Sequence, residues 1–281
     1  MLAPMQLDSP ARTQFQELVA APSPPLAEAA LAIAAEEYPD LDPAACLAEL
    51  DRLGALAVRR APVARRAATT LRAVREVLFE DEGFRGNEKS YYDPRNSYLN
   101  EVLDRRLGIP ITLSLVFLEV ARRAGLELAG VGFPGHFLVK LAPEAGPEIF
   151  IDPYNAGELL TAEECVARFK NVSQGRDFDP RFLQAVSPRQ ILGRMLHNLK
   201  KIYVEQGDDV RAYWVIDRLL ILAPDAADEI RDRGLVSARL GLKPAAARDL
   251  EAYLALQPAA ADVGEIRELL ATLRSRPSLL N

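Results

Sequence analysis

His136 is one of two histidines in the chain, and it stands in the stretch Gly132-Phe-Pro-Gly-His-Phe-Leu-Val-Lys140, shortly before Asp152 in Glu148-Ile-Phe-Ile-Asp-Pro-Tyr154. Residues 137–141 and 148–151 are apolar and β-prone, and Pro143, Gly146 and Pro147 between them supply turn chemistry, so the pattern predicts a β-hairpin. With its turn centred near residue 144, His136 faces Asp152 across the ladder at about 5 Å. A carboxylate in that place orients an imidazole, and the two together are a pair of members of a nucleophile, histidine and aspartate triad.

Around this pair the chain reads as α+β. From Pro10 to about Arg75 apolar residues recur three and four apart, as in Leu26, Ala30, Ile33 and Ala34, and Pro22 to Pro25 breaks the run. Asp42 before Pro43 is a helix start, and Gly54 falls inside or just beyond the helix that follows. From Gly83 to Val186 turn formers and aromatics increase. Asn96 or Ser97 is expected to cap a helix running to Arg106 that Gly108 ends. Pro110 opens a second helix through Arg123, closed by Gly125 and apolar on nearly every side, hence buried. Strands are expected near 127–131, 137–141 and 148–151, and Thr161 with Glu164 forms a capping box for a further helix.

The last third repeats. Gly207 recurs as Gly241, Ala212 as Ala246, Leu222 as Leu256 and Pro224 as Pro258, each pair 34 residues apart, which is the tetratricopeptide period. Ser237 stands where the first copy has Tyr203, and Glu265 to Arg274 reads as a capping helix. The domains expected are a helical N-terminal subdomain over 1–80, a helix-plus-antiparallel-sheet domain over 81–190, and repeats with a cap over 191–281.

The net charge of -6 and isoelectric point near 5.2 argue against nucleic acid as the main partner, since a phosphate backbone needs a basic surface. Arg59, Arg60, Arg65 and Arg66 form a local basic patch, and in an alanine-rich helical stretch they read as a solvated face. Two cysteines, Cys46 and Cys165, and an N-terminus without a basic region followed by an apolar run fit a reducing cytoplasm. The most apolar segment, Ile109 to Ala121, is interrupted by Thr112, Ser114 and Glu119, so no membrane span is expected. No ligand spacing calls for a metal, no cofactor is expected, and His197 reads as a packing or groove residue.

Gly83-Phe-Arg-Gly-Asn87, Tyr92-Asp-Pro-Arg-Asn-Ser97, Leu107-Gly-Ile-Pro-Ile-Thr-Leu-Ser114, Phe133-Pro-Gly-His-Phe137 and Ile151-Asp-Pro153 resemble the bacterial SirB-type proteins, which join a transglutaminase-like, papain-like domain to tetratricopeptide repeats. The resemblance covers roughly residues 26–275. It implies that His136 and Asp152 take the second and third triad roles. It also places the nucleophilic cysteine of active members at about Pro110, where proline and Ile111 have nothing to attack with. Thr112 and Ser114 are the nearest hydroxyls and read as capping or packing groups, while Cys46 and Cys165 lie on other predicted helices.

Two main functions follow, and a third is a small-molecule sensor that uses the remnant cleft and needs a pocket beside His136. One is a non-enzymatic regulatory or adaptor protein whose tetratricopeptide groove, with Asn198, Tyr203, Arg233 and Ser237 as candidate lining residues, captures a protein or peptide. The other is an amide hydrolase or acyl transferase with His136 as a base oriented by Asp152, and Thr112, Ser114 or an activated water as nucleophile. For His136 and Asp152 the alternative to catalysis is a structural hydrogen bond that rigidifies the sheet. Phe84, Tyr91, Tyr92, Tyr98, Phe133 and Tyr154 divide between core and cleft, with Arg95, Asn96 and Asn155 as polar cleft candidates.

Overall fold

The computed structural model describes residues 9–62, 66–142, 146–173 and 175–274. Their contacts separate into two compact units, Ser9–Met195 and the chain from Leu196 onward, so the N-terminal helices share a unit with the sheet.

The first unit opens with α1 (Pro10–Val19), α2 (Leu26–Ala34), α3 (Pro43–Arg60) and α4 (Ala67–Arg75), the last widening into a π-helical turn over Glu76–Asp81. Asp42 caps α3 as expected, its Oδ1 accepting from the amides of Ala44 at 2.9 Å and Ala45 at 3.3 Å. Gly54 lies inside α3, where a Cβ would stand 2.5 Å from that of Arg123, so its lack of a side chain lets two helices approach closely. Of the basic run, Arg60 pairs with Glu76 and Asp81, and Arg65 lies outside the described residues.

Strand β1 (Arg85–Gly86) pairs in parallel with β2 (Leu107–Gly108), on either side of α5 (Leu99–Arg105). Neither Asn96 nor Ser97 caps α5: both are buried in a 3-10 turn, Pro94–Ser97, that Asp93 caps, and Tyr98 precedes the helix. Gly108 does not end it either. Arg106 does, in the left-handed conformation at φ 58°, with its guanidinium tied to Glu49 and Glu82 and set 4.7 Å over the ring of Phe84. These long-range partners hold a conformation that L residues otherwise avoid.

Helix α6 (Pro110–Arg123) has the predicted bounds, with proline in its first turn and Gly125 at φ 79° just beyond it. Eleven of its side chains are buried, and it packs on α3, α5 and the sheet. That sheet is antiparallel, in the order β6 (Glu158–Leu160), β5 (Ile149–Asp152), β4 (Leu138–Leu141), β3 (Ala129–Val131), β7 (Ala185–Val186). The β4–β5 hairpin pairs Val139 with Ile151 and Leu141 with Ile149. This differs by two residues from the expected register, and the expected turn residue Pro143 lies outside the described residues. A shift of two keeps every side chain on its face. Leu138, Phe150 and Leu160 bury that face with Cys165 and Phe169 of α7 (Ala162–Val172), which starts at the predicted Thr161 and Glu164 capping box. Each such side chain contributes about 2 kcal/mol by leaving water.

The second unit begins within α8 (Pro188–Gln206) and continues through α9 (Asp209–Leu222), α10 (Ala227–Arg239), α11 (Lys243–Leu256) and α12 (Val263–Arg274). The 34-residue repeat reappears in detail. Gly207 and Gly241 are both left-handed, at φ 69° and 76°, and the amides of Asp208 and Leu242 donate to the carbonyls of Tyr203 and Ser237, each at 2.9 Å. Two helix ends are thus closed by the same turn. Among the described residues no helix is long and apolar enough to cross a membrane.

Candidate functional site

Asp152 is the last residue of β5 and has no exposed surface. Its Oδ1 caps the 3-10 turn Pro153–Asn155, accepting from the amides of Tyr154 and Asn155 at 3.2 Å each, and Oδ2 accepts from Asn155 Nδ2 at 2.8 Å and Arg168 Nη1 at 3.2 Å. The fifth partner is His136, whose Nε2 lies 2.8 Å from Oδ1. Burial alone would raise the carboxyl, but the bonds from His136 and Asn155 outweigh it and hold Asp152 below the ordinary aspartate range.

His136 lies just ahead of β4, so it meets Asp152 on the diagonal of the ladder rather than directly opposite, and the imidazole spans the difference. A tight turn aims it: Gly135 is left-handed at φ 71°, the His136 amide donates to the Phe133 carbonyl at 3.0 Å, and Arg194 Nη2 donates to the carbonyls of Phe133 and His136 at 3.4 and 3.2 Å. The side chain keeps 23% of its surface exposed, and Nδ1 has no hydrogen-bond partner among the described residues. With Asp152 accepting at Nε2–H, the neutral ring presents Nδ1 as an acceptor.

The hydroxyls do not come to Nδ1. Thr112 Oγ1 donates to the Asn96 carbonyl at 2.7 Å and accepts from the Ile109 amide at 3.1 Å, closing the start of α6. Ser114 Oγ donates to the Phe137 carbonyl at 3.5 Å, joining α6 to the residue before β4. Both side chains are fully buried, and Pro110 is flanked by buried Ile109 and Ile111. Cys165 is core, its thiol pushed up to about 11 by burial, and Cys46 is half-buried on α3 with its thiol also raised by burial.

Aromatic rings continue the site outward. Tyr154 stands edge-on to His136 at 5.9 Å and to Tyr91 at 6.3 Å, and Tyr91 in turn to the 56%-exposed Tyr92 at 5.3 Å. Gly86 lies against the Tyr154 ring, where a Cβ would stand 2.5 Å from Cε2. Asn96 is not a cleft group: it is buried, taking a bond from Asn87 Nδ2 at 2.9 Å and donating to the Ser90 and Tyr91 carbonyls, which sets the tyrosine loop. Arg95 folds back on Asp93. Phe84, Tyr98 and Phe133 are core.

A sequence model of the transglutaminase-like superfamily matches residues 44–197, and one of the tetratricopeptide repeat matches 199–271. The UPF0162 protein of Xylella fastidiosa strain Temecula1 is 42% identical over 255 residues, which cover 89% of this chain and 90% of that protein. The chain belongs to this family. The UPF0162 protein of Pseudomonas aeruginosa is 35% identical over 239 residues, 83% of this chain and 85% of its own. Human F-box only protein 21 is 31% identical over 185 residues, 62% of this chain but 28% of that larger protein. No solved structure matches. The family architecture, a transglutaminase-like domain followed by tetratricopeptide repeats, is the one expected of SirB-type proteins.

In the repeat unit two of the four candidate groove residues are interior. Tyr203 is 2% exposed and packs its ring 6.4 Å from that of Trp214, and Ser237 is fully buried. Their shared repeat position is a packing position, filled by a large side chain in one copy and a small one in the other. Asn198 is half-buried and Arg233, also half-buried, is bound to Asp249 at 2.7 Å and Asp217 at 3.2 Å. His197 joins Glu229 at 3.2 Å, and Lys200 bridges Glu229 and Asp232 at 2.7 and 2.6 Å, so α8 and α10 share a charged face. The residues sequence reasoning missed are Arg168 and Arg194. Each is an arginine on a helix whose partner lies on a distant strand or turn, which leaves no local spacing to find it by.

Proposed function

We propose that the protein is a non-catalytic regulatory or adaptor protein, its tetratricopeptide unit capturing a protein or peptide partner and its transglutaminase-like domain holding His136 and Asp152 without a nucleophile. The carrying observation is at His136 Nδ1, which meets no thiol or hydroxyl among the described residues, while Thr112 and Ser114 spend their hydroxyls on backbone carbonyls. Proline at the helix start fits that reading. The charged face shared by α8 and α10 supports a polar peptide as partner. Free Cys46 and Cys165 and bacterial relatives support the bacterial cytoplasm as the site of action.

The test pairs two measurements. Replacing Asn198 by Ala and Arg233 by Lys together, the lysine keeping a cation beside the buried Asp217 and Asp249, is expected to abolish the partner set recovered by quantitative cross-linking, while His136→Ala leaves it intact. A fluorophosphonate panel and a library of amide and ester substrates are expected to give no labelling and no turnover. The partial exposure of His136 favours one second reading, a hydrolase using water activated directly at Nδ1. Turnover lost in both His136→Ala and Asp152→Ala would establish it and sink the adaptor reading.

A further inference from the structure

Arg194 differs from the other arginines around the site in what surrounds it. Arg168 binds Asp152 and Glu158, Arg95 and Arg105 bind Asp93, and Arg106 binds Glu49 and Glu82. Arg194 is half-buried, and among the described residues no carboxylate lies within ion-pair distance of it. Its hydrogen bonds go to the Phe133 and His136 carbonyls, both from Nη2. Two neutral carbonyls do not neutralise a guanidinium, and burial pulls its proton affinity below that of an ordinary arginine. The remaining guanidinium N–H groups have no protein partner among the described residues, and a guanidinium fork is matched best by an anion.

The neighbours lead away from that cation in a line. Arg194 holds the His136 backbone at 3.2 Å, the His136 ring stands 5.9 Å from Tyr154, and Tyr154 stands 6.3 Å from Tyr91. Along this line are a cation without a carboxylate partner, a nitrogen that accepts a hydrogen bond, and two aromatic rings. Asp152 adds no net repulsion, being engaged by Arg168 and His136.

We propose that this cluster binds an α-carboxylate with a neighbouring N–H, the group that ends a peptide chain or an N-acylated amino acid, with the carboxylate on Arg194, the N–H donating to His136 Nδ1, and the terminal side chain against Tyr91 and Tyr154. A guanidinium fork matches a carboxylate in geometry and charge. The acceptor at Nδ1 selects a donor beside that carboxylate, which a simple fatty acid lacks. The inference rests on the non-catalytic reading, because a hydrolase would turn such a ligand over or hold it as product, whereas here the site only retains it. It is separate from partner capture by the repeat unit.

The experiment uses the full chain labelled with 15N in its histidines, His136 being assigned by its loss in His136→Ala. N-acetyl-L-phenylalanine and a hexapeptide pool with randomised last three residues are titrated near neutral pH, each as free acid and as C-terminal amide. The acids are expected to move the His136 Nδ1 resonance saturably, with the amides at least about tenfold weaker and the His197 signal unchanged. Arg194→Gln is expected to remove the response to the acids while keeping the Nε2 resonance typical of an imidazole bonded to Asp152, which shows that the site is still folded. Equal affinity for both acids assigns recognition to the terminal residue alone; tighter binding of the pool by about tenfold or more assigns it to a peptide C-terminus. Amides binding as well as acids, or no shift at His136 with any probe, overturns the proposal on the wild-type protein. Loss of partner capture in the Asn198 and Arg233 variant reports on the adaptor reading alone, so the two can fail independently.

Discussion

Asp152→Ala is expected to destabilise the first unit by about 4 kcal/mol, because deleting one partner of a buried charged network costs about 3–5 kcal/mol. The parts agree with that figure. Losing the cap of the 3-10 turn costs about 0.5–2 kcal/mol, and the bonds from His136 Nε2 and Asn155 Nδ2 to a charged acceptor are each worth about 1.5–3 kcal/mol without adding fully. The pair with Arg168 adds little, since that side chain is 38% exposed. Asp152→Asn retains a carbonyl for the cap but turns an amide donor toward the Asn155 and Arg168 donors, so about 2 kcal/mol is expected. The linkage has a definite sign. A carboxyl whose folded pKa is depressed contributes stability that is complete above its unfolded pKa, about 3.9, and is lost as pH falls from there through the lower folded value. Urea unfolding of the three proteins at neutral pH and in steps into acid should therefore show a gap between wild type and Asp152→Ala that narrows only below about pH 4. A loss under about 1 kcal/mol at neutral pH, or a gap that does not narrow in acid, would refute the picture of Asp152 as the buried charged hub of the site.

Gly86→Ala places a methyl 2.5 Å from Tyr154 Cε2, so it should cost about 1–3 kcal/mol and shift the His136 ring resonances through the displaced tyrosine, without touching either member of the pair; thermal melts and histidine NMR check this. In the repeat unit, Lys200→Met strands the buried Glu229 and its neighbour Asp232, with an expected loss of about 3 kcal/mol in chemical denaturation. Iodoacetamide at pH 8 should label Cys46 ahead of Cys165, whose thiol is pushed up to about 11 and sits in the core; intact mass should show one adduct on the native protein and a second only in urea.

What could be read from the sequence were the features whose causes are local. Pro110 and Gly125 bound α6, Thr161 and Glu164 cap α7, Asp42 caps α3, and the 34-residue spacing returns as two helix ends closed by the same bond. In each case the residue acts on backbone within a turn of itself. What could not be read was set at long range. The left-handed Arg106 depends on Glu49 and Glu82, two-residue strands such as β1, β2 and β7 are too short to show a period, and the hairpin register was off by two because its turn admits more than one centre. The histidine and aspartate still met, because a shift of two preserves the face and an imidazole reaches along the diagonal. The same logic explains why the cleft's character stayed hidden. Arginine on a helix reads as solvated, and only the fold decides that Arg168 completes the shell of Asp152 while Arg194 lies beside His136 with two neutral carbonyls as its partners. One arginine has spent its charge on the protein and the other has not, and the ligand proposed at Arg194 rests on that difference more than on the pair the sequence pointed to.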